Sequence, residues 1–559
     1  MSGSRSFNEL SACPEFPLAR KFLLARRAGA CAFRALLALI GMVAAACVAV
    51  AGSVQLVKGW QGPYDTSEGW QPVTTEKPPC AFAAEPMIAA GSVKLPDNNP
   101  PQPFVRVFQN WNFTDYHDNN FSWNFSEDLR GFFAGIGLPG NYGIGQPQIL
   151  YDQPAGDPTG YGRFITVAQA NDPATQRSWI TVSTTYIPQG YIQQPSGAAF
   201  RDCLFVVDAN SMPANVPSTS YWADEPRVGV SKNSLFIAAD MRAFDSNSTF
   251  QYSKLWMIPK TNVYNSPTGS CLRENVGYYF WYGLQNADGT PAYQVIPAKT
   301  YDYNDLTAYL ISAHWNGGSE LTLWTVNDAK PSISPGLKGM AVATQPYTPP
   351  PAAPQIPTAA VPAPALINTS NARLVNAVYQ PNSGLWTVHA TACPWNTNLS
   401  CVKWYALNPL NPMAAVLQEA AFGFTDSYVY APTVAVSENG NAVFVFNSSD
   451  AKHFVGVYAV GRDSRDPPST VQISQNILLK PGVDVYTRGA PALRSSADID
   501  PIDDNRFWFI GAYSGGKFLT CPDGSANYDW ATWAGILSFT GPLPPMPPPL
   551  PHPPAPAPQ

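Results

Sequence analysis

The sequence predicts an all-β protein, a six- or seven-bladed β-propeller preceded by one N-terminal transmembrane or signal helix. Three observations lead there. Hairpin-like patterns recur along the chain at intervals of roughly sixty to eighty residues. Helical periodicity is almost absent outside residues 35–57. The clearest hairpin, residues 431–446, has two alternating strand patterns around Asn439-Gly440, a dipeptide that accepts the positive φ of tight turns. The alternative is a pair of β-sandwich domains split at a central proline-rich segment.

Residues 1–34 form a basic segment, with Arg20, Lys21, Arg26, Arg27 and Arg34 ahead of an uncharged run at 35–57. That run is long enough to span a bilayer, and the positive charges before it keep the N-terminus cytoplasmic and export the rest. It reads as a signal-anchor of a single-pass type II protein or as a cleaved signal peptide with Ala49-Val50-Ala51 at the cleavage site. The length of the preface favours the anchor. Arg26-Arg27 also resembles a twin-arginine lumenal signal. The expected location is the plasma membrane or the secreted and wall space, with an organelle lumen as the alternative.

Residues 58–100 are polar and proline-containing and read as an extended stalk. The propeller follows over 101–541. Its hairpins fall at 147–170, 226–239, 308–326, 373–392, 432–446 and 491–513, with room for one more near 100–130. Within it, 346–364 holds eight prolines in 19 residues and reads as an ordered inter-blade connection. The tail, 542–559, holds eleven in 18 and favours polyproline II.

Composition supports export. Charged residues make up 13% of the 559, about half the usual share, and the net charge is −6. A negative chain with no basic cluster beyond its N-terminus lacks the face that nucleic acid requires. Six cysteines follow the targeting segment: Cys80, Cys203, Cys271, Cys393, Cys401 and Cys521. Of their possible pairings only Cys393 with Cys401 is local. Seven sequons offer glycosylation at Asn112, Asn120, Asn124, Asn247, Asn368, Asn398 and Asn447.

Catalytic signatures are missing. Gly135-Ile-Gly137-Leu-Pro-Gly140 matches the glycines of a dinucleotide loop, but Pro139 blocks the helix that must follow. The near-Walker stretch from Gly511 to Lys517 has Phe518 where magnesium needs a hydroxyl, and reads as a hairpin end. None of the five histidines lies at a diagnostic metal-ligand spacing, and no Gly-x-Ser-x-Gly elbow occurs. Asp498, Asp500, Asp503 and Asp504 crowd hard oxygen ligands into one turn, a candidate calcium site that a solvated Asx turn explains equally well. Arg163, Arg227, Arg242, Arg488 and Arg494 are available to a glycosidase-like channel.

The second half resembles a widespread group of secreted β-propeller proteins with a sialidase-like architecture but no Asp-boxes. The residues that carry this are Leu385-Trp-Thr-Val-His-Ala, Val402-Lys-Trp-Tyr-Ala-Leu, Tyr430-Ala-Pro-Thr-Val-Ala-Val-Ser, Asp498-Ile-Asp-Pro-Ile-Asp-Asp-Asn-Arg-Phe-Trp and Trp530-Ala-Thr-Trp533. Asp224-Glu-Pro-Arg-Val-Gly-Val-Ser resembles the early-blade counterpart. The chain departs from the group before Asp498, where Gly489-Ala-Pro-Ala-Leu-Arg-Ser-Ser replaces a Trp-Gly-Asp-Tyr-Ser stretch. The tail is similar in composition to hydroxyproline-rich wall glycoproteins of green algae and plants. The expected function is an extracellular binding or structural protein with a glycan, matrix or protein partner. The alternative is a secreted carbohydrate hydrolase working in the axial channel.

Overall fold

The computed structural model describes residues 53–64, 86–93, 102–109, 112–117, 122–138, 141–158, 162–186, 203–264, 276–329, 336–411, 415–487, 493–520 and 526–540. Among the described residues the strands form six sheets, five of four strands and one of nine, and within the nine the short strand Lys299–Thr300 joins two antiparallel four-stranded ladders, so that four-stranded units follow one another along the chain. Strand β1 (Val54–Tyr64) belongs to the last of them. The first unit is β2–β5 (Pro86–Val93, Gln102–Gln109, Asn112–His117, Ser122–Asp128) and the second β6–β9 (Gly143–Asp152, Arg163–Asp172, Arg177–Thr185, Cys203–Asp208). The third is β10–β13 (Tyr221–Val230, Ser234–Ala243, Phe250–Pro259, Tyr279–Tyr282).

The fourth unit has a split innermost strand. Its ladder is β14 (Ile296–Pro297), β16 (Thr307–Ala313), β17 (Gly318–Asn327) and β18 (Leu337–Tyr347). The short β15 (Lys299–Thr300) continues β14 and pairs in parallel with β10 on one side and β19 on the other. The fifth unit is β19–β22 (Asn376–Gln380, Gly384–Cys393, Asn396–Leu407, Val416–Phe422) and the sixth β23–β26 (Tyr428–Val436, Ala442–Ser449, Gly456–Arg462, Ile477–Lys480). The seventh is β27–β29 (Ser495–Ile499, Arg506–Thr520, Ala526–Phe539) with β1 as its outer strand.

Strand periodicity explains how the units pack. Successive side chains point to opposite faces, so a sheet covered on both sides is apolar in both registers. In β24, Val443 and Val445 pack with Phe507 and Phe509 of the seventh unit. Phe444 and Phe446, one residue out of step, pack with Trp386 and Trp404 of the fifth. The same device joins every consecutive pair, and Ile88 and Val105 of the first unit meet Trp508 and Ile536 of the seventh. The arrangement is propeller-like and returns on itself.

Several expectations are corrected here. The tail of the expected membrane segment and the head of the expected stalk are one strand. Val54 pairs with Phe539 and Gly59 with Gly535, so 54–64 closes the seventh unit, and 86–93 is likewise a strand rather than stalk. An edge strand can be polar because the sheet needs its backbone more than its side chains. The rest of the membrane segment, the basic preface and the proline-rich tail lie outside the described residues, and no helix of the described residues is long and apolar enough to cross a membrane.

The alternative split into two sandwiches does not occur, since residues 52–559 form one unit. The connection 346–364 is ordered. Ala353 and Ile367 bridge, and the Gln355 side chain donates to the carbonyls of Ala365 and Tyr486 while accepting from the Tyr486 amide. The hairpin at 308–326 is β16–β17, the second hairpin of its unit, whereas the others are first hairpins. The near-Walker glycines lie within β28.

Candidate functional site

The innermost strands of all seven units line one central channel, through Ile88, Ile149, Val228, Ile296, Val378, Ala435 and Ile499 among others. Its lower part is crossed by an ion pair. Lys299 Nζ stands 2.6 Å from Asp498 Oδ1, which also accepts from Tyr301 Oη, while Asp498 Oδ2 accepts the Ala90 amide of the first unit. Adjoining it is a small cleft of about 50 Å³ lined by Arg227, Gln294, Ser370, Asn371, Arg373 and Arg494.

The mouth of the cleft is shaped by a repeated backbone device. Gln146-Pro147, Glu225-Pro226 and Ala431-Pro432 each interrupt an innermost strand with a register shift. Proline supplies no amide to the ladder and drives the preceding residue out of the right-handed helical region. Here the preceding residues take φ of 50°, 46° and 50°, a left-handed conformation that costs a side-chain-bearing residue about 1–2 kcal/mol. Gln294, just ahead of β14, has φ 48°.

These bulges bring a carboxylate among three guanidiniums drawn from three units. Glu225 Oε2 lies 3.1 Å from Arg227 Nη2 and 3.2 Å from Arg373 Nη1, and its Oε1 accepts from Arg494 Nη2. Gln294 Nε2 donates to the same Oε2 at 2.8 Å, and the Glu225 amide donates to Gln146 Oε1 at 2.6 Å. Burial by itself would raise the Glu225 pKa, but Arg373, Arg494 and Arg227 outweigh it and hold the carboxyl well below its usual range. It is a permanent anion and no proton donor.

Two more acids stand beside it. Asp224 pairs with Arg242 and accepts from Gln146 Nε2, and burial with the neighbouring Glu225 charge raises its pKa. Asp240 Oδ1 accepts from Ser253 Oγ and from the Gln294 amide at 2.9 Å, and burial pushes it up to about 6. Arg242 and Arg373 both lie against the Tyr293 ring, 5.7 and 5.9 Å from its centre. Four guanidiniums thus face three carboxyls.

Of the five arginines noted in the sequence, the structure brings Arg227 and Arg494 together. It adds Glu225 and Arg373, which no local pattern marks. Arg242 serves Asp224, Arg163 is buried against Asp157 inside the second unit, and Arg488 lies outside the described residues.

The four carboxylates of the calcium candidate each have protein partners. Asp498 is spent on Lys299, Tyr301 and Ala90. Asp500 accepts from the Ile502 and Asp503 amides and from Trp508 Nε1. Asp503 pairs with Arg506, and Asp504 caps the Asn439 turn of the sixth unit through the Glu438 and Asn439 amides. The four carboxylates point to different partners, and two of them, Asp498 and Asp504, stitch units together. Among the described residues, the group of three potential ligands that does converge is Asp288, His314 and Glu320, which sequence spacing does not reveal.

Cys393 and Cys401 are bonded, with Cα atoms 5.0 Å apart, and Cys203 is disulfide-bonded too. Cys80, Cys271 and Cys521 lie outside the described residues. Asn247, Asn368 and Asn398 are exposed. Asn447 is a correction: it is fully buried and its amide donates to the Gly456 and Ala512 carbonyls, leaving no room for a glycan. The side chains of Asn112 and Asn124, and all of Asn120, lie outside the described residues.

No protein-family model matches the chain, and no curated protein matches it in sequence. Solved structures do. A protein of unknown function from Dyadobacter fermentans aligns at TM-score 0.33 and 10% identity, covering 87% of this chain and 99% of that one. An α-L-arabinofuranosidase from Fusarium graminearum aligns at 0.32 and 13%, covering 81% and 97%. Trypanosoma rangeli sialidase aligns at 0.30 and 9%, and the match spans 76% of this chain but only 57% of the sialidase. Likenesses this distant assign neither ligand nor chemistry.

Proposed function

We propose that the chain is an exported seven-bladed β-propeller that binds an anionic extracellular ligand, a carboxylate-bearing glycan, at the mouth of its channel. The observation that carries this reading is the convergence of Arg227, Arg373 and Arg494 on Glu225. Guanidiniums match carboxylates in shape and charge, which suits a cluster of three to an anionic ligand. Glu225 then holds the place of a ligand carboxylate. Ser370 and Asn371 on the neighbouring wall suit sugar hydroxyls. The seven units, each packed on the next and the seventh on the first, support the blade count. The uncharged run that precedes β1, residues 35–53, supports export, as a type II membrane protein or after cleavage.

Titration calorimetry with uronic-acid oligosaccharides and neutral analogues of the same length tests it. Acidic chains bind and neutral ones do not, and Arg373→Ala, whose side chain is partly exposed, abolishes binding while the circular dichroism melt survives. Equal binding of both classes, or full binding by the variant, overturns the reading.

A hydrolase is the second reading, and Asp240 favours it: it stands behind the cleft wall, bonded to the Gln294 amide, and a carboxyl near pKa 6 suits a general acid. Release of reducing ends from the bound glycan, lost in Asp240→Asn, would replace binding with catalysis.

A further inference from the structure

We propose that Asp288, His314 and Glu320 form a binding site for one divalent transition-metal ion, with zinc the best fit. The three come from separate segments of the fourth unit and its lead-in. Asp288 sits in the turn that precedes β14, His314 in the β16–β17 turn and Glu320 on β17. One ligand atom from each lies within 4.8 Å of the others.

The separations are what an ion would set. His314 Nε2 is 3.6 Å from Glu320 Oε1 and 3.8 Å from Asp288 Oδ2. Both exceed a hydrogen bond. Ligands held about 2.0–2.1 Å from a tetrahedral ion stand about 3.4 Å apart, so a small inward movement closes the site.

Each ligand is also prepared. Asp288 Oδ1 accepts from the Thr290 amide and hydroxyl, which fixes the carboxylate and turns Oδ2 toward His314. Glu320 Oε1 is shielded from solvent and has no hydrogen-bond partner among the described residues. A polar oxygen shut off from water without a partner costs about 1–3 kcal/mol, which a cation would recover. Gly318 lets the imidazole lie where it does, since a Cβ there would stand 3.2 Å from His314 Cδ2.

Chemistry selects the ion. An imidazole with two carboxylates suits zinc or manganese, whereas calcium and magnesium prefer oxygen alone. The partial exposure of all three side chains leaves access for the ion and for water at the remaining position. Bound there, the ion ties the β16–β17 turn to the segment that delivers Gln294 to Glu225. The site stands independently of the anion-binding reading.

The test is calorimetric titration of the full chain, stripped with chelator, with zinc chloride and separately with calcium chloride. One equivalent of zinc binds, and calcium binds far more weakly. His314→Ala and Glu320→Gln each weaken zinc binding by roughly 10–100-fold or more. His453→Ala serves as the control, because among the described residues His453 beside Asp450 is another pairing of imidazole and acid. Zinc binding that survives His314→Ala, or that disappears in His453→Ala, overturns the proposal, as does the absence of stoichiometric uptake.

Discussion

Asp240 and His389 are buried groups whose environments oppose their charged forms, and each carries a pH dependence of opposite sign. The folded pKa of Asp240, about 6, stands above its ordinary 3.8. The folded state therefore holds a proton that the unfolded chain releases between these values, and stability falls as pH rises through that window. Asp240→Asn keeps an oxygen for Ser253 Oγ and the Gln294 amide without the charge. It should raise stability by up to about 3 kcal/mol at pH 7 and by nothing near pH 3.5, measured by urea denaturation. An equal gain at both pH values would contradict this. His389 is fully buried, between the Ala372 carbonyl and Tyr405 Oη, and burial pushes its pKa down to about 4 from 6.5. The unfolded chain now binds the extra proton, so stability is lost as pH falls from 6.5 toward 4. The check is its ring resonance, which should stay in the neutral position down to about pH 4.5.

At the scale of the element, the staple between Cys393 and Cys401 closes a loop at the β20–β21 turn, with a sequence separation of 8. Chain entropy assigns such a loop about 2–3 kcal/mol. Cys401→Ser paired with Cys393→Ser should lower the unfolding free energy by about that amount, and an unchanged midpoint would show the reduced turn to be equally rigid. Elements also show where sequence reasoning reaches its limit. The hairpin at Asn439-Gly440 was legible because turn chemistry is local, and Gly440 indeed takes φ 80°. The fourth unit misled it because its innermost strand is cut into Ile296–Pro297 and Lys299–Thr300, too short to alternate. Asp500 and Asp504 suggested a cation because clustering is visible in sequence and partnership is not. Glu225 with Arg373, and Asp288 with His314, were invisible for the converse reason: 148 residues separate the first pair, and only the ring of units makes them neighbours.

For the whole molecule, closure depends on β1, whose Ser53 reaches Thr540 across a separation of 487 residues. No local signal in 54–64 announces a partner so distant. Removing residues 1–64 should strip β29 of its outer neighbour, cost roughly 3 kcal/mol or more and expose a paired-strand edge to other copies. Light scattering and a urea titration of the shortened chain check both effects. A monomer of unchanged midpoint would mean that the packing of the seventh unit on the first suffices. The same closure predicts slow folding, since it completes only when β1 and β29, far apart in sequence, meet.

The left-handed residues ahead of Pro147, Pro226 and Pro432 have a bearing on how such a protein could change its taste. Each occupies a position where the strand has already surrendered its ladder bond and where the backbone conformation tolerates Gln, Glu or Ala alike. None of the three anchors a sheet. At Gln146 and Ala431 an exchange would repaint the rim while the sheets beneath stayed as they are, whereas at Glu225 it would also strip three largely buried guanidiniums of their partner. The rim is therefore free to vary at two of these positions and tied to stability at the third.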